Sequence, residues 1–285
     1  MKPASFVRHV PKTIGEALSI LAEVASKDGR VLAGGQSLVP IMAFRMARPA
    51  HLVDINEIAE LDKLAVENGK LIVGARVRHA AFHHPKLDGP LGRLLAKVVQ
   101  SIAHYPIRMR GTMCGSLAHA DPASEWCLTA ATLDAEIVAR RKDGERVIPA
   151  QEFFQGIMTT ALAEDELLAE VRYPLLPQDA KFGFYEVCRR AGDFAMVAAL
   201  ATYRLDGKVI AGVRVGVGGA EARPRRIAEA EAALNGSIPG DAAFAAAAEA
   251  AAGAIDPLED AQTTAEYRRD LVRAVVQRAL QASLP

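Results

Sequence analysis

Cysteine is scarce: the 285-residue chain has three, Cys114, Cys127 and Cys188, and none forms a CxxC pair. Structural zinc and iron–sulfur sites draw on about four ligands, mostly cysteines at short spacing, so a self-contained metal cluster is not expected. The odd count, together with the missing apolar h-region in MKPASFVRHVPKT, points to reduced thiols in a cytoplasmic protein. No apolar run is long enough to span a bilayer, which excludes a membrane-spanning helix. Charge of neither sign is in excess, with 34 acidic and 34 basic residues, so no global field draws nucleic acid or an anionic membrane. Signature motifs are missing as well. There is no GxGxxG opening a helix, no GxxxxGK[ST], no GxSxG elbow and no Ser–His–Asp arrangement. His104 and the pair His83-His84 lack companions that would make them metal ligands.

What is present is an alternation of short apolar runs with helical patterns. Thr13-Ile-Gly-Glu16 has the capping-box spacing and predicts a helix that closes at Gly29. Strands are expected at Arg30–Ala33, at His51–Ile55 and on either side of Asn68-Gly69, a type I′ hairpin pair. Leu91 to His104 has helical spacing, and Asp134 to Arg140 and Arg146 to Ile148 read as strands around Asp143-Gly144. Two prolines in Tyr173-Pro174-Leu-Leu-Pro177 mark a boundary. After it, Phe182–Val187, Ala195–Leu205 and Val209–Val217 form a three-stranded meander. Arg225–Leu234, Ala242–Ala254 and Thr263–Ala282 then suit helices. The class is α+β, with domains at 1–175 (subdomains about 1–56 and 57–175) and 176–285.

Two glycine-rich segments carry the chemistry. Ala33-Gly34-Gly35-Gln36-Ser37-Leu38 follows a strand, and adjacent glycines let successive backbone N–H groups converge on a phosphate. Read by itself, the segment is also an ordinary turn. Arg110 to Pro122 offers Gly111, Thr112, Met113, Cys114, Gly115, Ser116, His119 and Asp121 in a second loop, with Asp121-Pro122 opening a helix through Leu128. Such a loop suits a second portion of an extended diphosphate ligand.

AGGQSLVP and GTMCGSLAHADPASE resemble the paired FAD loops of the medium subunits of carbon-monoxide-dehydrogenase-like and xanthine-dehydrogenase-like molybdenum hydroxylases. CRRAGDFA from Cys188 is similar to the RRxGDFA segment of their C-terminal domain, and KPASFVRHVPKTIGEALSIL and VDINEIAELD are in family register. The resemblance spans essentially the whole chain. It implies a two-lobed FAD-binding domain of the PCMH type, then a carbon-monoxide-dehydrogenase flavoprotein C-terminal-like domain.

By that resemblance Ala33 to Leu38 would hold the FAD pyrophosphate, and Gly111 with Thr112 to Ser116 would form a second clamp. Asp121 would lie near the adenosine half, and Ile102, Leu168 and Phe194 would be apolar contacts of the cofactor. Ile102 reads equally as helix core, Leu168 as strand core and Phe194 as an anchor of the meander. Two departures stand out. Cys114 replaces a common Gly, placing a thiol beside the flavin on backbone that avoids positive φ. Glu186 replaces a common Lys, either near the flavin or paired with Arg189 or Arg190.

The implied role is electron transfer. A molybdopterin-binding large subunit and a small subunit with two [2Fe–2S] clusters would feed FAD, which passes electrons to NAD, a quinone or oxygen. The implied assembly is a dimer of heterotrimers, cytoplasmic or peripheral at the inner membrane face through the complex. Two other readings stay open: a self-sufficient FAD-dependent oxidoreductase, and a non-catalytic assembly module of the same fold.

Overall fold

A computed structural model describes residues 2–261 and 263–284 of the chain. The first lobe runs β1 (Val7–His9), α1 (Ile14–Val24), β2 (Gly29–Leu32), α2 (Leu38–Ala43) and β3 (His51–Asp54). Its parallel sheet has the order β1-β3-β2. The capping box at the start of α1 forms with its return bond displaced by one residue: Thr13 Oγ1 accepts from the Glu16 amide at 3.2 Å, and Glu16 Oε2 accepts from the Lys12 amide, just before the cap, at 2.7 Å. The helix stops at Val24 instead of closing at Gly29. A 3-10 turn over Ala25–Lys27 and Asp28 in the left-handed region (φ 56°) complete the turn into β2.

The second lobe contains β4 (Leu64–Glu67), β5 (Lys70–Gly74), α3 (Pro90–Val98), α4 (Tyr105–Arg108), α5 (Met113–His119) and α6 (Glu125–Thr132). It continues through β6 (Glu136–Arg141), β7 (Gly144–Pro149), α7 (Ala150–Phe153), β8 (Phe154–Gly156), β9 (Thr159–Thr160) and β10 (Leu167–Pro174). Five strands make an antiparallel sheet, β4-β5-β10-β6-β7. Asn68 and Gly69, at φ 50° and 73°, close the β4–β5 hairpin as a type I′ turn requires. Three expectations change here. The helical pattern from Leu91 ends at Val98, leaving Ile102 in a turn. The segment after Thr112 is a helix, not a loop. Ser124, not Asp121, caps α6.

Beyond β10 come β11 (Lys181–Val187), β12 (Val197–Asp206), β13 (Val209–Gly218) and β14 (Arg225–Arg226), then α8 (Ala228–Leu234), α9 (Asp241–Ala254) and α10 (Ala265–Gln281). The meander is therefore extended to a four-stranded sheet, β11-β12-β13-β14. Arg225 and Arg226, expected in a helix, pair with Val217 and Gly216 as the fourth strand.

The alternation along β12 shows how the sheet joins two cores. Val197, Ala199, Ala201 and Tyr203 pack with α8, α9 and α10, whereas Ala198 and Leu200 belong to the core of the first 180 residues. Buried on both faces, the strand reads as a nearly continuous apolar run. On the helical side Gly183 of β11 lets α10 approach closely. A Cβ at Gly183 would sit 1.7 Å from the Ala279 carbonyl oxygen. The alanine face of α9, Ala247, Ala248 and Ala251 around Phe244, is fully buried and gives the same close layer spacing.

Among the described residues no helix is long and apolar enough to cross a membrane, and no cluster of three or more His, Cys, Asp or Glu side chains is placed to hold a metal ion.

Candidate FAD-binding site

Strand β2 delivers the first glycine segment to the carboxyl end of the parallel sheet, the edge where open α/β sheets hold ligands. Gly35 has φ 71°, and no hydrogen bond leaves the backbone N–H groups of Gly34, Gly35, Gln36 or Ser37 for another group among the described residues. Gln36 Nε2 donates to the Gly34 carbonyl at 3.0 Å and braces the loop from inside. The second glycine segment closes on the first. A Cβ at Gly34 would lie 2.2 Å from the Arg110 carbonyl oxygen and 2.7 Å from Gly111 Cα. Only glycine allows the two backbones this approach.

A polar network holds the two segments in register. Arg8 donates to Asp54 Oδ2 through Nε at 2.9 Å and Nη2 at 2.6 Å. Asp54 Oδ1 accepts from the Asn56 amide, and Asn56 Nδ2 donates to the Ala33 carbonyl at 2.7 Å. Arg78 Nη2 donates to Asn56 Oδ1 at 2.6 Å, and its Nη1 reaches the Arg110 carbonyl. Burial would raise the Asp54 carboxyl, but the Asn56 amide and then the Arg8 guanidinium outweigh it and hold it below the usual range. One carbonyl from each segment, Ala33 and Arg110, is thus tied to one Asn–Arg pair.

Between the segments runs a groove of about 480 Å³, within the ~300–1,000 Å³ range of small-molecule sites. Its walls include Ala33 to Leu38, Gly111, Thr112, Cys114 to Ser116, and Leu168 from β10. Along the rim Glu166 accepts from Arg146 at 2.7 and 2.8 Å and from the Ala163 amide at 2.8 Å. The Arg146 contact first, against burial, holds its carboxyl below the ordinary value. Unpaired amides, hydroxyls of Ser37 and Ser116 and small apolar walls form the donor set of a diphosphate-bearing ligand. A Cβ at Gly34 would force the Arg110–Gly111 backbone away, so glycine keeps the two donor-bearing segments together, and the residues present fit the diphosphate of a dinucleotide.

The other expected residues lie elsewhere. Met113 is fully buried in the core, and Ile102 is buried in the turn after α3. Asp121, half-buried, accepts from the Ala123 amide at 2.9 Å and is not part of the groove wall. Phe194 is 65 % exposed and belongs to neither hydrophobic core. Cys114 has helical backbone, as its avoidance of positive φ requires, but its thiol turns inward and donates to the Val73 carbonyl at 3.4 Å. Burial first, then Glu170, pushes that thiol far above its ordinary pKa, so it is not a reactive group beside the ligand. Glu186 does not pair with Arg190, which holds Asp193 at 3.0 Å. It receives the Ser101 hydroxyl, keeps Oε2 buried without a partner, and is pushed by burial to about 7.

Asp54, Asn56, Arg78 and His79 organise the site and were not singled out by sequence reasoning. The available signal was the polar Asp-x-Asn following β3 at the same sheet edge as Ala33.

The fold and groove define an FAD-binding flavoprotein. Residues 4–176 match the FAD-binding domain in molybdopterin dehydrogenase, and residues 183–283 match the CO dehydrogenase flavoprotein C-terminal domain. The chain therefore belongs to the FAD-binding medium subunits of the molybdenum hydroxylase family. It is 39 % identical to caffeine dehydrogenase subunit beta of Pseudomonas sp. (strain CBB1), over 98 % of this chain and 95 % of that one. It is 33 % identical to the carbon monoxide dehydrogenase medium chain of Hydrogenophaga pseudoflava, over 99 % and 98 %. A solved structure of the carbon monoxide dehydrogenase from Hydrogenophaga pseudoflava superposes with TM-score 0.94 at 34 % identity, covering 99 % of this chain and 98 % of that one. The protein is an oxidoreductase subunit whose cofactor is FAD.

Proposed function

We propose that the groove takes the diphosphate and adenosine half of FAD and that the chain serves as the electron-transfer subunit of a molybdenum-containing dehydrogenase. The observation that carries this reading is the run of unpaired amides from Gly34 to Ser37, held against Gly111 at the groove wall. In this reading Ala33 to Leu38 hold one side of the diphosphate, and Gly111, Thr112, Cys114, Gly115 and Ser116 form the other side. Leu168 lines the apolar end. Ile102, Met113, Asp121, Glu186 and Phe194 lie outside the groove, so any direct role for them belongs to the flavin half and not to the diphosphate.

Bound FAD supplies a centre that exchanges one or two electrons at a time. This chain's own residues bind it, orient it and exclude water from it. Electrons would come from [2Fe–2S] clusters of a small partner subunit, fed by a molybdopterin-binding large subunit, and leave for an external acceptor. The assembly would be a dimer of heterotrimers, with domains at 1–175 and 176–285 in each copy of this chain.

Purification of the chain alone, followed by reconstitution with FAD, tests the first claim. The expected product is yellow, shows the two-banded flavin spectrum and releases FAD, not FMN, on denaturation. A protein that stays colourless after reconstitution refutes the cofactor assignment. Coexpression with candidate large and small subunits tests the second claim. Copurification, with flavin bleaching only when the cluster subunit is present, is the expected result. Flavin reduction by substrate without any partner would instead establish a self-sufficient oxidoreductase.

A further inference from the structure

Trp126, the only tryptophan of the chain, is fully buried in α6, and its indole N–H donates to His79 Nδ1 at 2.9 Å. An indole nitrogen can only donate, so Nδ1 must be the unprotonated ring nitrogen, and in a neutral ring the proton sits on Nε2. The ring is neutral. Burial first, then the positive charges of Arg78 and Arg108, pushes its pKa down to about 3. Packing fixes the ring further: the His79 amide donates to the Gly111 carbonyl at 2.9 Å, and Trp126 also stacks edge-on with Phe82.

The Nε2–H has no acceptor among the described residues. It lies directly against the glycine contact, where a Cβ at Gly111 would come within 2.5 Å of Nε2. His79 is only 4 % exposed, yet it belongs to the wall of the groove. As a residue of the groove wall, His79 can satisfy this unpaired donor with an acceptor of the ligand. Gly111, which Nε2 lies against, is also the residue packed on Gly34, and the unpaired amides of Gly34 to Ser37 line the same groove.

We propose that His79 is a diphosphate-binding residue of this groove. It donates through Nε2–H to a phosphate oxygen of the dinucleotide, with Trp126 as the positioning residue that fixes the tautomer. This inference rests on the FAD reading above. A neutral donor suits the place: it contributes a directed hydrogen bond without bringing a charge that would have to be desolvated each time the groove fills. It also makes the contact insensitive to pH across the neutral range, unlike a histidine that binds as a cation.

Nitrogen-15 NMR of histidine-labelled full-length protein, titrated with FAD, ADP and adenosine, tests the assignment. The expected result is a His79 ring protonated at Nε2 before ligand is added, with the Nε2–H resonance moving on addition of FAD or ADP but not adenosine. Binding titrations of variants give the energetic counterpart. His79→Leu is expected to weaken FAD and ADP about tenfold or more, as for loss of a hydrogen bond to a charged group, and to leave adenosine unchanged. His79→Gln, whose Nε2 reaches the same place, is expected to recover most of that affinity. Wild-type protein that binds no FAD overturns the dinucleotide reading. Wild-type protein that binds FAD while His79 is protonated at Nδ1, or while its Nε2–H signal ignores FAD, overturns the His79 assignment alone. If His79→Leu fails to fold, the wild-type NMR titration decides.

Discussion

Gly34 and Gly111 are packed backbone against backbone, so a Cβ on the first would lie 2.7 Å from the Cα of the second. This contact makes two segments 77 positions apart into one wall, and it leaves no room for any side chain. Gly34→Ala must separate the segments or distort them, and overpacking of this kind costs about 1–3 kcal/mol. The expected outcome is a folded, less stable chain whose FAD affinity has dropped at least about tenfold, or about 1.4 kcal/mol. Flavin-fluorescence titration beside urea denaturation checks both numbers. Unchanged FAD affinity in a folded Gly34→Ala protein would show that the contact does not shape the site.

A second relationship ties the FAD-binding part to the C-terminal sheet. Asp134, in the left-handed region between α6 and β6, accepts from Arg214 Nε at 2.9 Å, from Arg226 Nη1 at 2.9 and 3.0 Å and from Gln151 at 2.7 Å. Arg226 also grips Glu231 at 2.8 and 2.6 Å. Burial opposes ionisation of Asp134, but Arg214 and Arg226 outweigh it and hold its pKa below the ordinary 3.8. Asp134→Asn keeps a residue that tolerates positive φ, removes the charge and replaces one acceptor oxygen by an NH2 that faces donors. After discounting for its partial exposure, the expected loss is about 1–2 kcal/mol at pH 7, shrinking as the pH falls from the ordinary 3.8 through the lower folded value. Urea denaturation at pH 7 and pH 3 measures this, and an equal loss at both pH values would mean that the charge is not what matters.

How much of this was legible in the sequence depended on whether a signal was local. The capping box at Thr13, the Asn68-Gly69 hairpin and the β12–β13 meander are written in adjacent residues, and each formed. The stretch after Thr112 was read as a loop because Gly111 and Gly115 weaken helical propensity. The cap that offsets them, Thr112 Oγ1 accepting from the Gly115 amide at 3.0 Å, is the only local clue. Arg225 and Arg226 became a strand because β13 offered an edge, which no local pattern announces. Asn56, Arg78 and His79 acquire their roles at the site through partners 22 to 47 positions away. The paired glycine segments were visible; the network that holds them together was not.

The three thiols differ sharply in access. Cys114 and Cys127 are buried and donate to the carbonyls of Val73 and Ser116, each at 3.4 Å, and burial raises both thiols far above their ordinary pKa. Cys188, next to β11, is half-buried. Because the thiolate is the reactive form, Cys188 is expected to be the sole thiol titrated in the folded protein. It should react more slowly than a free thiol, since burial and then Glu186 raise its pKa as well. The disulfide reagent DTNB should release one equivalent from native wild type, three in urea and none from native Cys188→Ser. Rapid release of a second equivalent from native protein would mean that Cys114 or Cys127 is reachable.

Two acids, Glu125 of α6 and Glu186 of β11, set how stability responds to pH. Burial, reinforced by Glu186, pushes Glu125 up to about 8, and burial pushes Glu186 to about 7 against the Ser101 hydrogen bond. An acid whose folded pKa exceeds its unfolded value stabilises the fold while it stays protonated. That stability is lost as pH rises from the ordinary 4.5 through the folded values. The chain should therefore lose stability between about pH 5 and pH 8, in the window of these two groups. His79 acts in the opposite direction below its ordinary 6.5, because its folded pKa of about 3 makes protonation costly. Glu186→Gln cannot ionise, and it also removes the like charge that acts on Glu125. Thermal melts from pH 5 to pH 9 should show a flatter upper limb for this variant and a higher midpoint than wild type at pH 8. If the two proteins lose stability in parallel above pH 6, the acid pair does not control that limb.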